Sequence, residues 1–82
     1  MTEEQLKAVP RFVSLPIYEE GDPQADTITT VAGAGRYKSI RECNSLRDVQ
    51  RCLKNPRLVP LGALRAAYDG KAVVVAYFGE QP

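Results

Sequence analysis

The sequence contains no histidine and no tryptophan, and only two of its 82 residues are cysteine. Histidine is the usual general base near neutral pH, so no Ser–His or Cys–His nucleophile pair can form within one chain. Two cysteines alone supply too few ligands for a structural zinc site. Gly33-Ala34-Gly35 resembles the start of a phosphate-binding turn, but Lys38 stands where the pattern needs its third glycine. We therefore expect no enzyme, no metal site and no cofactor.

Long apolar runs are also absent. No segment approaches the roughly 18 apolar residues that read as a membrane-spanning helix, and Met1–Lys7 is too polar for a signal peptide. We therefore expect no contact with a membrane. Cys43 and Cys52 are nine residues apart, and on one continuous helix about 13 Å of axial rise would prevent a disulfide. A bridge would require Cys43 to lie outside the helix. We predict buried, reduced thiols in a cytoplasmic protein.

The length and the 44% hydrophobic content indicate one globular domain over residues 1–82. The expected fold class is α+β, with a small, largely antiparallel sheet of three to five strands and one or two helices packed on one face. Thr2-Glu3-Glu4-Gln5 matches a capping box. Residues 1–9 are therefore either a short helix that Pro10 ends or a frayed N-terminal segment.

Four segments have the β-branched, aromatic or alternating character of strands. They are Arg11–Tyr18, Thr27–Ala32, Arg36–Arg41 and Ala72–Phe78. Pro16 cannot donate a ladder hydrogen bond, which favours an edge position for the first strand. The last segment is apolar throughout and is expected at the sheet centre. Residues 61–68 are either a strand or a helix, because Asp69-Gly70 is typical both of a hairpin turn and of a helix end.

The clearest predicted helix begins after Ser45, a good N-cap residue, and ends at Asn55-Pro56. At about 100° per residue its apolar side chains share one arc and its cations the opposite arc. The apolar set is Leu46, Val49, Cys52 and Leu53, and the cationic set is Arg47, Arg51 and Lys54. A longer helix that begins near Ile40 is the alternative, because Ser39-Ile40-Arg41-Glu42 is also a capping-box match.

Charge is segregated along the chain. Residues 1–35 hold six of the ten acidic side chains, and residues 36–57 hold seven of the eleven basic ones. Adjacent like charges on a helix repel each other, and an anionic partner relieves that repulsion. The candidate binding residues are the helix cations, together with neighbouring basic residues and one tyrosine. They are Arg47, Arg51, Lys54, Arg36, Lys38, Arg41 and Tyr37.

The leading hypothesis is a non-enzymatic module, a regulator or inhibitor, that docks an acidic protein surface through these residues. Weak binding of RNA or single-stranded DNA by the same face, with Tyr37 stacking on bases, is the alternative. The sequence pI of about 7.8 and the acidic first third disfavour strong duplex binding.

The acidic loop that contains Glu19, Glu20, Asp22 and Asp26 leaves three interpretations open. It is a solvated loop, a weak divalent-cation site, or the internal counterpart of the basic helix face. The same acidic and basic regions could also meet across a homodimer. An edge strand near Pro16 or at residues 27–31 offers a second route to a dimer.

Overall fold

The computed structural model describes every residue from Met1 to Pro82. Its helices, in chain order, are α1 (Glu3–Lys7), α2 (Asp26–Thr29), α3 (Val31–Ala34) and α4 (Leu46–Leu53). Its strands are β1 (Ile17–Tyr18), β2 (Ser39–Cys43), β3 (Leu58–Tyr68) and β4 (Lys71–Glu80). Single 3₁₀ turns occupy Pro10–Phe12 and Pro23–Ala25. None of the helices has the length and apolar character needed to cross a bilayer.

The four strands form one sheet in the order β1-β3-β4-β2. The β2–β4 and β3–β4 pairs are antiparallel, and the two-residue β1 pairs in parallel with β3. The α+β class with a largely antiparallel sheet is therefore confirmed. The predicted last strand lies inside the sheet as β4, and the predicted first strand lies at the edge. Pro16 precedes β1, and its carbonyl accepts a 2.9 Å hydrogen bond from the Ala63 amide.

Residues 61–68 form a strand and not a helix. They belong to β3, which pairs with β4 from Leu58↔Glu80 to Tyr68↔Lys71. Asp69 (φ 50°) and Gly70 (φ 73°) make the turn between the strands with two positive φ values, as a tight type I′ hairpin requires. The register shifts between Pro60 and Gly62, where β3 contains a bulge.

The main core lies between one face of the sheet and the helices α1 and α4. The buried cluster joins side chains from the first helix, the Pro10–Phe12 turn, α4 and three strands. Its members are Leu6, Phe12, Cys43, Val49, Cys52, Leu58, Ala63, Val74, Ala76 and Phe78. Phe12 and Phe78 meet edge to face, with their ring centroids 5.6 Å apart. This arrangement is the favourable one for an aromatic pair.

Helix α4 follows its sequence prediction closely. The Ser45 hydroxyl accepts a hydrogen bond from the Asp48 amide at 3.2 Å and caps the first turn. Val49 and Cys52 are buried, whereas Arg47 is exposed. The longer helix from Ile40 does not form, because Ser39–Cys43 pairs with β4.

The prediction of a strand at Thr27–Ala32 is wrong, because this segment forms α2 and α3. Two caps favour the helical turns over the β-branched character. The Asp22 side chain accepts from the Gln24 amide and opens the 3₁₀ turn that leads into α2. The Thr30 side chain accepts from the Gly33 amide at 2.9 Å and caps α3.

Two further strand predictions are correct only in part. Of Arg11–Tyr18, only Ile17 and Tyr18 join the sheet, because residues 10–12 form a 3₁₀ turn that carries Phe12 into the core. The strand predicted at Arg36–Arg41 lies further along the chain, as β2.

The N-terminal segment forms the helical alternative. Thr2 and Gln5 make the reciprocal hydrogen bonds of a capping box at the start of α1. Leu6 is buried, and the Met1 carbonyl accepts a 2.9 Å hydrogen bond from the Val74 amide of β4. The first residues of the chain are therefore attached to the central hairpin.

Candidate functional site

Three cations line one groove beside the C-terminal end of α4. Arg51 and Lys54 come from the helix end and Arg41 comes from β2. Alternation along β2 places Arg41 on the same face as Cys43, the face that α4 covers. The groove has a volume of about 320 Å³, and its remaining lining residues are Cys52, Asn55 and Leu58. We call it the basic groove, and no carboxylate lines it.

A smaller groove of about 240 Å³ adjoins the basic groove and shares Arg41, Arg51 and Cys52 with it. Its other lining residues include Glu42 and Asp48. Asp48 forms an ion pair of 3.8 Å with Arg51, whose side chain is 71% exposed. Ion pairs this exposed contribute little to stability. Arg51 is therefore available to an incoming anion.

The carboxylate of Glu42 interacts with the phenol of Tyr77 on the neighbouring strand β4. The Tyr77 hydroxyl lies 3.3 Å from a carboxylate oxygen of Glu42 and donates to it. Burial raises the pKa of Tyr77, and the adjacent Glu42 charge raises it further. Tyr77 therefore remains a neutral donor at physiological pH.

The structure separates the sequence-predicted site residues into different places. Arg41, Arg51 and Lys54 share the basic groove, as described above. Arg47 is exposed on α4 but lines neither groove. Cys52, Asn55 and Leu58 complete the groove and were not predicted as site residues. The sequence marks Asn55 only as the end of the helix, and Leu58 only as an apolar residue.

Lys38 lies away from the basic groove and forms an ion pair at the end of β4. Its ammonium is 3.3 Å from Glu80, which also accepts a 2.8 Å hydrogen bond from the Ser39 hydroxyl. The hydrogen bond from Ser39, followed by that from Lys38, lowers the pKa of the Glu80 carboxyl. Lys38 therefore already has an anionic partner within the chain.

Arg36 and Tyr37 form another separate feature. The Arg36 guanidinium lies 5.7 Å from the centroid of the Tyr37 ring, within the range of a cation–π contact. The ring itself packs against the backbone of Gly79, where an added Cβ would approach ring atoms to 2.5 Å. Tyr37 is thus used in packing and does not border the basic groove.

The acidic residues of the first third do not pair with the basic helix. The guanidinium of Arg65 on β3 instead contacts both oxygens of Glu3, at 2.9 and 3.2 Å, and one oxygen of Glu19, at 2.8 Å. The hydrogen bonds from Arg65 lower the pKa of Glu3. The interpretation of the acidic loop as the internal counterpart of the basic face is therefore wrong. Sequence reasoning missed the role of Arg65, because its partners are 62 and 46 residues away.

The metal hypothesis for the acidic loop has no geometric support. No group of three or more acidic, cysteine or histidine side chains is arranged to hold an ion. Asp22 is occupied in capping the Pro23–Ala25 turn.

The tip of the β3–β4 hairpin carries a largely apolar depression of the surface. It measures about 450 Å³ and is lined by the chain start and by both strands of the hairpin. The lining residues are Met1, Asn44, Ala66, Ala67, Tyr68, Val73, Val74 and Val75. The tip extends beyond both edge strands, because β1 pairs only as far as Leu64 and β2 only with residues 76–80.

Comparison of the chain with protein-family models, with curated proteins and with solved structures found no match.

Proposed function

We propose that this chain is a small, non-enzymatic binding module that docks an acidic protein surface through the basic groove. The single observation that carries the proposal is the convergence of Arg41, Arg51 and Lys54 on one groove with no carboxylate in its lining. Like charges held together in this way repel one another, and an anionic partner relieves the repulsion. By occupying an acidic surface, the module acts as a regulator or inhibitor of a larger protein.

The chemistry of the groove suits carboxylates. An arginine guanidinium offers a planar fork of donors that pairs with a carboxylate through two parallel hydrogen bonds. Two such forks, one on a strand and one on a helix, flank a lining that includes Leu58. An acidic side chain accompanied by an apolar neighbour matches this combination. The free thiols of Cys43 and Cys52 agree with a reducing compartment, and we place the docking in the cytoplasm.

Nucleic acid is the weaker candidate for the same groove. Binding of single strands depends on aromatic side chains that stack on bases. No aromatic residue lines the basic groove, and Tyr37 packs against Gly79. Four acidic residues, Glu19, Glu20, Asp22 and Asp26, also give the molecule an anionic segment that repels a phosphate backbone.

A charge-reversal pair tests the proposal. Arg41→Glu combined with Arg51→Glu removes two groove cations, and Arg11→Glu combined with Lys71→Glu makes the same change in net charge at exposed positions elsewhere. Two defined probes are titrated by fluorescence anisotropy at low and physiological salt, namely a glutamate-rich peptide and a uridine oligonucleotide. The groove variant should bind the peptide at least about tenfold more weakly, and the control variant should bind as the parent chain does.

Chemical-shift mapping locates the contact. Peptide-induced shifts in the parent chain should concentrate at the backbone amides of Arg41, Arg51 and Asn55. Equal losses in the two double variants would contradict a specific groove. Tighter binding of the oligonucleotide than of the peptide would instead favour the nucleic-acid candidate.

A further inference from the structure

The two cysteines of the chain meet inside the core. Cys43 is the last residue of β2 and Cys52 lies in the last turn of α4. Their Sγ atoms are 3.3 Å apart, although both residues are free thiols. Since the chain has no other cysteine, any intramolecular disulfide must join this pair.

The path of the chain explains this contact. β2 ends at Cys43, the backbone turns at Asn44 and Ser45, and α4 packs over the sheet. Val49 and Cys52 occupy the buried arc of the helix, so the second helical turn brings Cys52 to the sulfur of Cys43. A disulfide has an S–S length near 2.05 Å, and closing the gap requires a further approach of roughly 1.3 Å.

Both cysteines are buried, but each lies beside a groove of the surface. Cys43 is 1% exposed and Cys52 is 4% exposed, but Cys52 borders both surface grooves and Cys43 borders the smaller one. Burial, followed by the interaction with Cys52, raises the pKa of Cys43 to about 12. Cys43 therefore keeps its proton at neutral pH, and Cys52 is the less buried cysteine and the one that borders both grooves.

We propose that Cys43 and Cys52 are a site of reversible oxidation, which a peroxide converts into an intramolecular disulfide that ties α4 to β2. The Sγ of Cys52 loses its proton and attacks one oxygen of hydrogen peroxide, and the other oxygen takes up a proton and leaves as water. The Sγ of Cys43 then attacks the resulting sulfenic acid, loses its proton and releases a second water. Two thiols are oxidised and one peroxide is reduced. A dithiol reductant reverses the reaction by thiol–disulfide exchange.

The bond would close the loop from residue 43 to residue 52. Closing a loop of this length constrains the unfolded chain and stabilises the folded one. It would also fix α4 against β2, the two elements that carry the arginines of the basic groove. The oxidation itself does not depend on whether that groove binds a protein.

The test uses the reduced, folded chain treated with hydrogen peroxide near neutral pH. Intact mass should fall by two hydrogen atoms, and after denaturation neither cysteine should react with an alkylating agent. Proteolytic mapping should show Cys43 joined to Cys52, and dithiothreitol should restore both thiols. In thermal unfolding, the oxidised form should melt roughly 5–15 °C above the reduced form. An unchanged or lower melting temperature would contradict the predicted stabilisation.

Cys43→Ala and Cys52→Ala serve as matched controls. Neither can lose two hydrogens within one chain, and peroxide should add oxygen to the remaining sulfur or link two chains. The wild-type measurement needs no substitution, so its result can be interpreted even if either variant folds poorly. Persistence of two alkylatable thiols in the peroxide-treated wild type would overturn the proposal. So would sulfinic or sulfonic products, or disulfide-linked dimers, as the main species.

Equilibration with reduced and oxidised glutathione gives an independent measurement. If the folded structure favours the bond, the constant for intramolecular disulfide formation should be at least about tenfold larger in buffer than in denaturing urea. An equal or smaller constant in the folded state would show that the core resists the bond, and the proposal would fail.

Discussion

Leu6→Ala tests whether the first helix is a structural part of the core. Leu6 is 1% exposed and belongs to the same buried cluster as Phe12 and Phe78. The substitution removes three carbon atoms. At roughly 0.8 kcal/mol for each buried methylene equivalent, the lost transfer free energy is about 2.4 kcal/mol. The unfilled cavity adds to this loss, so we expect the free energy of unfolding to fall by about 3 kcal/mol.

Urea unfolding followed by far-ultraviolet circular dichroism measures the effect, because the chain has no tryptophan to report by fluorescence. For a domain of this size the melting temperature should fall by roughly 12–24 °C. Glu4→Ala, at an exposed position of the same helix, should stay within about 0.5 kcal/mol of the parent chain. Thr2→Ala removes the helix cap and should cost about 1 kcal/mol.

Hydrogen exchange at the Val74 amide gives a local test of the same idea. This amide donates to the Met1 carbonyl at 2.9 Å, so its protection depends on attachment of the chain start to β4. Protection at Val74 should fall in Leu6→Ala. A loss of stability below about 0.5 kcal/mol, with exchange at Val74 unchanged, would refute the view that α1 is part of the core.

Two other substitutions have defined outcomes. Gly62→Ala should destabilise the fold by at least about 2 kcal/mol in urea unfolding. The φ angle of Gly62 is 149°, and a Cβ added there would lie 2.6 Å from the Pro16 carbonyl oxygen. A variant as stable as the parent chain would mean that the backbone at the bulge relaxes without cost. Glu3→Gln should flatten the dependence of stability on pH. The hydrogen bonds from Arg65 lower the pKa of Glu3 below its ordinary value of 4.5. The Glu3 carboxylate therefore stabilises the fold at pH values above 4.5. This stabilisation is lost as the pH falls through the pKa that Glu3 has in the folded state. Urea midpoints between about pH 3 and 7 measure the slope, with Glu4→Gln as the control. Equal slopes in Glu3→Gln and the parent chain would show that the pair does not persist in solution.

Two parts of the fold were predictable because they depend on neighbours in sequence. Helix α4 is specified by the Ser45 cap and by the spacing of its apolar residues, all within one short segment. Asp69-Gly70 allows the hairpin because both residues tolerate a positive φ. The alternative helix end at Gly70 was excluded only by the pairing of β3 with β4.

Residues 27–32 show where a propensity argument fails. Their β-branched side chains favour a strand, but β propensity depends strongly on whether a pairing partner is available. Capping by Asp22 and by Thr30 instead satisfies the amides of short helical turns. Asp22-Pro23 is itself a helix-start signal and could have identified this segment from the sequence.

The candidate site was predictable in part. The exposed Arg51 and Lys54 follow from helical periodicity alone. Arg41 joins them because β2 places it on the face that α4 covers, which depends on strand register. Lys38 pairs with Glu80 and Tyr37 packs against Gly79, and neither residue lines the groove. No sequence pattern identifies these two partners.

The α+β class, the basic helix and the lack of histidine chemistry follow from composition, capping and periodicity, which act over short distances along the chain. Which charges meet depends on the tertiary structure. Arg65 binds Glu3 from 62 residues away, and the acidic segment is thereby directed to β3 and away from α4. The contact between Cys43 and Cys52 likewise depends on the packing of a helix over a strand. Such contacts depend on the full path of the backbone, since side chains distant in sequence become neighbours only when the core has formed.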